Sequence, residues 1–472
     1  MLPPVPVPAP VSNPGSVAVR PGGFRGSAPA GGLHRARLGN GLRILVAADH
    51  SAPVVSVAVV YDVGNRSEPE GREGFAHLFE HMMFQGSENL PKLAHAKLVN
   101  AAGGSFNGVT WPDHTSYYQV LPSGGLELAL YLEADRMRAP RLTEENLANQ
   151  VAVVGQEIRR KVVDNPYGGL PHPHLQAVMF DDFANAHDGW GAADRLATVT
   201  VAECEAFFAE YYSPANALLV VCGDATPALV EDLAERHFGA IPASPAPTTA
   251  RGCGPRLPED RHRDHPHPAA VLRAMAAGWR LPDPAPRDGA YPAALLLAEV
   301  LANGTDSVLQ ERLVHRDAVA QQLSMRTGLG GAPFECRDPD VLSLVMFLHP
   351  GADPRAALDV GYEELARLAQ RGLVPESLAR RAATWATSWL RALDPLGLRV
   401  QRLGAFELLH GDAELVWDLP DRIRAIGPAE VADAAAALAA QPRRWVTVTP
   451  GAAESATGSG RAGRLDREGV GA

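Results

Sequence analysis

Cysteine is scarce in this chain, which has 472 residues and four cysteines. They are scattered and form no CxxC pair: Cys204, Cys222, Cys253 and Cys336. This spacing argues against a disulfide framework, a cysteine metal site and a cysteine nucleophile. We therefore expect free thiols in a reducing, cytoplasmic compartment. Two of them, in an apparent helix and an apparent strand, are expected to be small buried hydrophobic residues: Cys204 and Cys222.

Long apolar runs and basic stretches are also missing. No run approaches 18 apolar residues, so we expect no membrane span. The formal net charge is −11 at pH 7, and without a basic stripe a nucleic-acid partner is not expected. There is no GxSxG, so a serine hydrolase has no support. The composition, 46% hydrophobic and 21% charged, suits a soluble globular protein of two or more domains.

Both ends of the chain lack a periodic hydrophobic pattern. Residues 1–32 are rich in proline, glycine, alanine and valine, and the prolines interrupt any continuous apolar segment of a signal peptide. We therefore predict a disordered leader over residues 1–32. Residues 451–472, rich in glycine, alanine, serine and arginine, are predicted to be a disordered tail.

The chain does contain an HxxEH pattern inside an apolar stretch that predicts a helix. His77 and His81 are four residues apart, so on an α-helix they share one face, where a single metal ion can bind both. Glu80 points toward the same side, and a glutamate beside a metal-bound water can act as its general base. The alternative is a core helix whose polar groups are satisfied by hydrogen bonds, because burying them without partners costs several kcal/mol.

A third candidate ligand lies downstream, as a catalytic zinc site with three protein ligands requires. Glu157 lies in a predicted helix for which Thr143 is the N-cap. It follows Val153 and Val154, which are expected to face the core. HxxEH is the signature of inverted zincins.

On these residues the chain resembles the pitrilysin/insulinase family of zinc metallopeptidases in its bacterial two-domain form, and it is similar to mitochondrial processing peptidase subunits. In that family a glutamate ligand follows the second histidine by 76 residues, which is the separation of His81 and Glu157 here. The resemblance is dense over residues 38–238 and looser beyond. Similar stretches include residues 38–43, 64–68, 103–108, 113–118, 133–137, 164–168 and 212–217.

The resemblance implies a zinc-dependent endopeptidase that hydrolyses peptides or unfolded segments within a closed chamber. His77, His81 and Glu157 would bind one Zn²⁺ per chain. Glu80 would be the general base on the zinc-bound water.

The resemblance also implies that a peptide substrate adds as a strand to the edge that contains Phe106 and Asn107. Backbone pairing of this kind is largely independent of side-chain sequence. Asn107 would hold a substrate carbonyl. In the alternative interpretation, Asn107 only completes a turn before Gly108.

The order of predicted elements repeats along the chain. A strand, helices, a strand pair, helices and a final strand occur in residues 33–241 and again in residues 269–450. We predict an α+β fold with two homologous α/β-sandwich domains, a duplicated unit, joined by a linker over residues 242–268. Histidines in this linker are not expected to bind metal, and the second domain lacks HxxEH. The resemblance implies that the chain forms half of a clam-shell.

Two features depart from the family pattern. Some relatives have an acidic residue seven positions before the third ligand, where this chain has Gln150. Family peptidases often carry an arginine and a tyrosine in the second domain that hold substrate, whereas Val308 and Gln321 stand nearest to these positions here. We therefore expect a homo- or heterodimer with a related subunit. The alternatives are a zinc-bearing subunit inactive alone and a non-catalytic scaffold.

Overall fold

The computed structural model describes residues 32–247, 258–329 and 332–451. The predicted leader up to residue 31, the predicted tail from residue 452 and Cys253 lie outside these ranges. Cys204, Cys222 and Cys336 are free and buried. In the part of the chain that is described, no helix is both long and apolar enough to cross a bilayer.

The first half of the chain is built on a six-stranded sheet in the order β1-β2-β6-β3-β5-β4. Its strands are β1 (His34–Arg37), β2 (Arg43–Ala48), β3 (Val54–Tyr61), β4 (Ser105–Thr110), β5 (Thr115–Pro122) and β6 (Ala217–Gly223). The central strands β3 and β6 consist mostly of valine, leucine and alanine and are buried on both faces. Strand β4 forms one edge of the sheet.

Most helices of the first half pack on one face of this sheet. The helices of this half are α1 (Phe75–Met82), α2 (Ala94–Ala101), α3 (Leu126–Arg138), α4 (Glu144–Ile158), α5 (Gln176–Met179), α6 (Phe183–Ala186), α7 (Ala193–Leu196), α8 (Val201–Tyr211) and α9 (Pro227–Phe238). Thr143 caps α4 as predicted, since its Oγ1 accepts a hydrogen bond from the Asn146 amide at 3.2 Å. A π-helical segment, Arg159–Val163, continues α4. Short 3₁₀ turns occur at Asn65–Ser67, Ser123–Gly125 and Pro214–Asn216.

The second half contains a five-stranded sheet in the order β7-β11-β8-β10-β9. Its strands are β7 (Arg261–His267), β8 (Ala274–Arg280), β9 (Ala320–Thr327), β10 (Val341–Leu348) and β11 (Arg444–Pro450). Its helices are α10 (Ala290–Leu301), α11 (Pro354–Arg371), α12 (Pro375–Arg391), α13 (Leu396–His410), α14 (Leu415–Ala425) and α15 (Pro428–Ala439), with a π-helical segment at Gln310–Arg316.

The two sheets have the same topology. Strand β2 runs parallel to β6, as β7 runs parallel to β11. In each sheet the next three pairings are antiparallel and follow the same order. The predicted duplication of an α+β unit is therefore confirmed, with β1 as an addition at the edge of the first sheet.

Part of the predicted linker is a strand instead. Strand β7 pairs with β11 along its length, from Arg261 to His267, so the linker prediction for residues 242–268 is wrong over this segment. Its sequence, Arg-His-Arg-Asp-His-Pro-His, contains none of the β-branched or aliphatic residues that mark a strand. The strand forms because it lies at an edge, where polar side chains and Pro266 are tolerated.

Each half also covers the sheet of the other. Helix α13 of the second half packs on the first sheet, so closely that a Cβ at Gly404 would lie 2.6 Å from Val60 Cγ2. In return, the segment that carries Leu175 and Met179 packs against Gly278 on β8. One hydrophobic cluster therefore contains side chains from both halves. The two predicted domains share a continuous core.

Candidate metal centre

Helix α1 carries both histidines, and the carboxylate of Glu68 caps its first turn. Glu68 accepts hydrogen bonds from the backbone amides of Gly74 and Ala76, both at 2.8 Å. These amides belong to the group that a helix leaves without internal partners. Gly74 has φ = 84°, a value that favours glycine. His187 Nε2 lies 2.9 Å from Glu68, and burial raises the pKa of Glu68 to about 7 despite this contact.

The structure brings together the three predicted metal ligands. His81 Nε2 lies 3.4 Å and His77 Nε2 lies 3.8 Å from Glu157 Oε2. The donor atoms of all three side chains lie within 4.8 Å of one another. Helix α1 supplies the two imidazoles on one face, and the packing of α4 against α1 supplies the carboxylate.

The charge states of these residues fit a divalent metal ion. Burial, together with the neighbouring His81, lowers the pKa of His77 to about 4, so its imidazole is neutral and can donate a lone pair. Burial opposes ionisation of Glu157, but the hydrogen bond and charge of the Lys161 ammonium outweigh it and hold the pKa below its usual value. Two imidazoles and a carboxylate form a donor set suited to zinc.

Lys161 and Trp190 contact the ligands, and the sequence interpretation missed both. Lys161 Nζ donates to Glu157 Oε1 at 2.6 Å and lies 5.0 Å from the centre of the Trp190 ring. The Trp190 ring packs edge-on against His77, with centroids 5.2 Å apart. The four-residue separation of Glu157 and Lys161 could have signalled their ion pair. Trp190 lies in a loop and has no comparable sequence signal.

Gln150 is the other polar contact of a ligand. Its Oε1 lies 3.3 Å from His81 Nδ1, and its Nε2 donates to Asn149 at 2.8 Å. An acceptor on the far nitrogen of an imidazole fixes the tautomer and the orientation of the ring. Gln150, which departs from the acidic residue of some relatives, can therefore still orient His81.

Glu80 lies between α1 and β4. Its Oε2 accepts a hydrogen bond from Thr110 Oγ1 at 2.5 Å. Burial raises its pKa to about 7, against the effect of this hydrogen bond. A Cβ at Gly108 would lie 2.8 Å from Glu80 Oε1, so the strand approaches the carboxylate closely. A carboxylate with a pKa near neutrality is suited to accept and return a proton.

The two residues predicted to bind substrate face different surroundings. Asn107 lies within β4, paired with Tyr118 on β5, so the interpretation as a turn residue is wrong. It lines the cavity at the metal centre. Phe106 packs instead against Phe84 and His95, at ring distances of 5.5 Å and 5.3 Å. Because side chains alternate along a strand, neighbouring residues on β4 face opposite sides.

The cavity beside this centre has a volume of about 610 Å³. Both halves of the chain contribute to its wall. Its lining includes the ligands, Glu80, Lys161, Trp190, residues 107–112, His172, Gln176 and, from the second half, Leu329.

Val308 and Gln321 lie outside this cavity. Val308 is partly buried and packs against the core of the second half. Gln321 is exposed on the edge strand β9. Neither residue belongs to the lining of the cavity. The cavity therefore receives no contribution from these two positions of its own chain.

The duplicated fold and the HxxEH helix define a protein of the inverted-zincin type. Residues 43–185 match the family model described as "Insulinase (Peptidase family M16)", and residues 198–384 match "Peptidase M16 inactive domain". The chain belongs to peptidase family M16, the insulinase family.

Similar proteins include named zinc proteases. Zinc protease PqqE of Helicobacter pylori is 30% identical over 206 residues, 43% of this chain and 46% of the relative. Human mitochondrial cytochrome b-c1 complex subunit 1 is 28% identical over 236 residues, 49% of this chain and 48% of the relative. The matched regions thus span about half the length of these two relatives. An uncharacterized zinc protease of Streptomyces coelicolor is 24% identical over 425 residues, 86% of this chain and 87% of the relative.

The fold has solved counterparts. The crystal structure of a protease from Helicobacter pylori matches with a TM-score of 0.79 at 22% identity, covering 89% of this chain and 99% of that chain. The chain accordingly adopts the half clam-shell fold of the family.

Proposed function

We propose that this chain is a zinc-dependent endopeptidase that hydrolyses peptides or unfolded segments. One observation carries the proposal: His77, His81 and Glu157 converge beside Glu80 in a cavity at the edge of a sheet. Each chain binds one Zn²⁺ through these three ligands. The names of relatives, zinc proteases among them, support the same activity.

The proposed reaction needs a general base, a strand that positions the substrate and a metal ion. A bound zinc ion supplies Lewis acidity, which lowers the pKa of a water molecule and polarises a peptide carbonyl. Glu80 takes up at Oε1 a proton from the water whose oxygen adds to the substrate carbonyl carbon, because Thr110 already occupies its Oε2. Glu80 then returns this proton to the amine, which leaves as the peptide C–N bond breaks.

Strand β4 holds the substrate in an extended conformation. It lies at the edge of its sheet, so its outer backbone groups can pair with a peptide that adds as a further strand. Asn107 reaches into the cavity from this strand and holds a substrate carbonyl there. Backbone pairing selects for an extended, unfolded segment more than for a particular side chain.

The test compares the wild-type protein with Glu80→Gln on a mixed peptide pool. Cleavage products are identified by mass spectrometry, and zinc content is measured for both proteins. We expect equal zinc content and a loss of about 10²–10⁴-fold in cleavage, since a general base contributes that much to rate. Equal cleavage by the two proteins would remove Glu80 from the mechanism.

A second candidate is a zinc-bearing subunit that needs a related chain. The observation that favours it is the position of Val308 and Gln321 outside the cavity. Subunit 1 of the cytochrome b-c1 complex, a relative, is named for its place in a complex. A zinc-loaded protein that cleaves only after a related chain is added would favour this candidate. Zinc-loaded protein that never cleaves, alone or paired, would favour a non-catalytic scaffold.

A further inference from the structure

Two polar side chains face the cavity from a segment that the proposed reaction does not use. His172 and Gln176 both line the cavity. The segment between them is a turn, in which the Leu175 amide donates to the Pro171 carbonyl at 2.8 Å, and α5 begins at Gln176. The two side chains therefore form a pair on one wall.

Neither side chain of this pair has a hydrogen-bond partner among the described residues. His172 Nδ1 is inaccessible to solvent and unpaired. Gln176 is 6% exposed, yet its side-chain amide contacts no donor or acceptor of the described chain. Buried polar groups in folded proteins are nearly always paired, so the unpaired Nδ1 of His172 requires an explanation. The amide of Gln176 retains some accessible surface, so it can meet a ligand from the cavity.

Unpaired buried atoms also occur elsewhere among the described residues, for example on His95 and His114. Gln119 donates to Glu133 at 2.8 Å, but its Oε1 has no partner. His174, two residues beyond His172, stacks on His265 with ring centroids 3.8 Å apart. His172 and Gln176 differ from these residues because they lie on the wall of the cavity that contains the metal centre.

We propose that His172 and Gln176 bind the backbone of the peptide substrate in the cavity, as a second contact surface in addition to strand β4. This inference rests on the proposed function. The Gln176 amide offers a donor and an acceptor. The imidazole of His172 offers Nε2, because its Nδ1 is closed to solvent. The same two groups, N–H and C=O, are repeated along an extended peptide.

The charge of the pair supports a backbone ligand. Burial lowers the pKa of His172 to about 4, so the ring is neutral at neutral pH. An uncharged pair suits the internal backbone of a peptide better than a terminal carboxylate. It therefore fits endopeptidase substrates, whose ends lie outside the site.

The first experiment measures peptide affinity without turnover. Zinc-loaded Glu80→Gln protein is titrated into a fluorescein-labelled tryptic digest of casein, and anisotropy gives an apparent Kd. We expect His172→Leu and Gln176→Leu each to weaken binding about 3–10-fold in this background. The matched control is His174→Leu, which changes a histidine outside this cavity and should leave the Kd unchanged.

A second experiment separates binding from a structural role. If His172 had a structural role, its replacement would lower the melting temperature of the ligand-free protein. Because His172 is buried without a partner, His172→Leu should keep or raise the melting temperature instead. In cleavage assays on the wild-type background the substitution should raise KM and leave kcat nearly unchanged.

The outcomes distinguish this inference from the proposed function. A variant that carries both His172→Leu and Gln176→Leu is measured in the same way. An unchanged Kd in this double variant, or no binding of the digest by the parent protein, would overturn the role of the pair. A Kd that weakens as expected supports the pair even if zinc-loaded wild type cleaves nothing, and in that case only the catalytic proposal fails.

Discussion

At the scale of single residues, the surroundings of two glutamates give them opposite tendencies to ionise. Burial raises the pKa of Glu80 to about 7. Glu157 is also partly buried, but the Lys161 ammonium holds its pKa below its usual value. A permanently ionised carboxylate suits a metal ligand, and one near neutrality suits a proton carrier. Their environments thus support the two different roles proposed for them.

The hydrogen bond from Thr110 should tune the base. It stabilises the ionised form of Glu80 and so opposes the rise in its pKa. Removing it in Thr110→Val should raise the pKa further. Because the base must be deprotonated, activity is present above this pKa and is lost as the pH falls through it. The acidic limb of the kcat/KM profile should therefore move to higher pH, with a loss of about 3–10-fold at pH 7.

The measurement is the pH dependence of kcat/KM for wild type and Thr110→Val. Thr449→Val serves as a control, because the half-buried Thr449 donates a hydrogen bond to Asp264 at 3.0 Å in the second sheet. An acidic limb that does not move would contradict the hydrogen-bond argument. A shift in the control as well would point to a general effect of lost hydroxyls.

At the scale of elements, helix α1 depends on a carboxylate outside itself. Glu68 bonds to the amides of Gly74 and Ala76, and it also bonds to His187. Glu68→Ala should remove this cap and leave His187 without its partner. We expect a loss of about 2–4 kcal/mol in the free energy of unfolding. Because α1 carries both histidine ligands, zinc affinity should fall as well.

Denaturant titration and competition with a zinc chelator measure the two effects of Glu68→Ala. Glu203→Ala is a matched control, since Glu203 caps α8 through the Thr200 amide at 2.8 Å but lies in an exposed setting. Glu203→Ala should lower the free energy of unfolding by less than about 1 kcal/mol and leave zinc affinity unchanged. Equal losses for the two variants would refute a special role for the buried cap.

The close passage of β4 past α1 yields a separate prediction. A Cβ at Gly108 would lie 2.8 Å from Glu80 Oε1 and 3.0 Å from the Phe84 ring. In Gly108→Ala the flexible end of Glu80 can shift, so stability should change little. The displaced carboxylate should lower kcat/KM by about tenfold or more, because catalysis is sensitive to misplacement near 1 Å.

The contrast with Gly104→Ala makes this prediction specific. At Gly104 the nearest atom to an added Cβ is the Val120 carbonyl oxygen, at 2.6 Å. The backbone cannot yield as a side chain can, so this variant should lose stability. Thermal unfolding and kcat/KM are measured for both. If Gly108→Ala unfolds as early as Gly104→Ala, the cause of lost activity would be misfolding.

At the scale of the whole molecule, the two halves are interlocked. Helix α13 lies on the first sheet, and ion pairs cross between the halves: Arg337 bonds to Asp62 at 2.9 Å, and Arg399 bonds to Asp49 at 3.0 Å. Arg66 is buried against Asp113 at 2.7 Å and against the carbonyl of Arg337 at 2.9 Å. We expect one cooperative unfolding transition.

The packing of α13 provides the test of this interlock. Gly404→Ala would place a Cβ 2.6 Å from Val60 Cγ2 and 3.3 Å from Val220 Cγ2. Overpacking of this kind should cost about 1–3 kcal/mol and lower the melting temperature of the whole chain. Gly361→Ala on α11 is the control, because an added Cβ there meets nothing within 4 Å. It should be neutral or slightly stabilising.

Calorimetry of both variants gives the transition and its cooperativity. A Gly404→Ala protein that melts in two steps would show that the halves fold independently. If the melting temperature of Gly404→Ala equals that of Gly361→Ala, helix α13 can move away from the first sheet without loss of stability.

Much of the fold could be predicted from local patterns. Strands β9 (Ala320–Thr327) and β10 (Val341–Leu348) have clear sequence signals, because apolar residues recur within each segment. Strand β7 was missed because an edge strand need not bury its side chains. Helix α14 has a weak sequence signal, because its interior Pro420 disrupts the usual helical pattern.

The sequence by itself determined the HxxEH helix, the capped helix of Glu157 and the repeated order of elements, because these depend on residues close together in the chain. Only the tertiary structure decided which distant side chains meet. It placed Lys161 and Trp190 on the ligands, turned Phe106 away from the cavity, and left His172 and Gln176 without partners on its wall. A periodic pattern reports which side of a segment is buried, but not what lies against it.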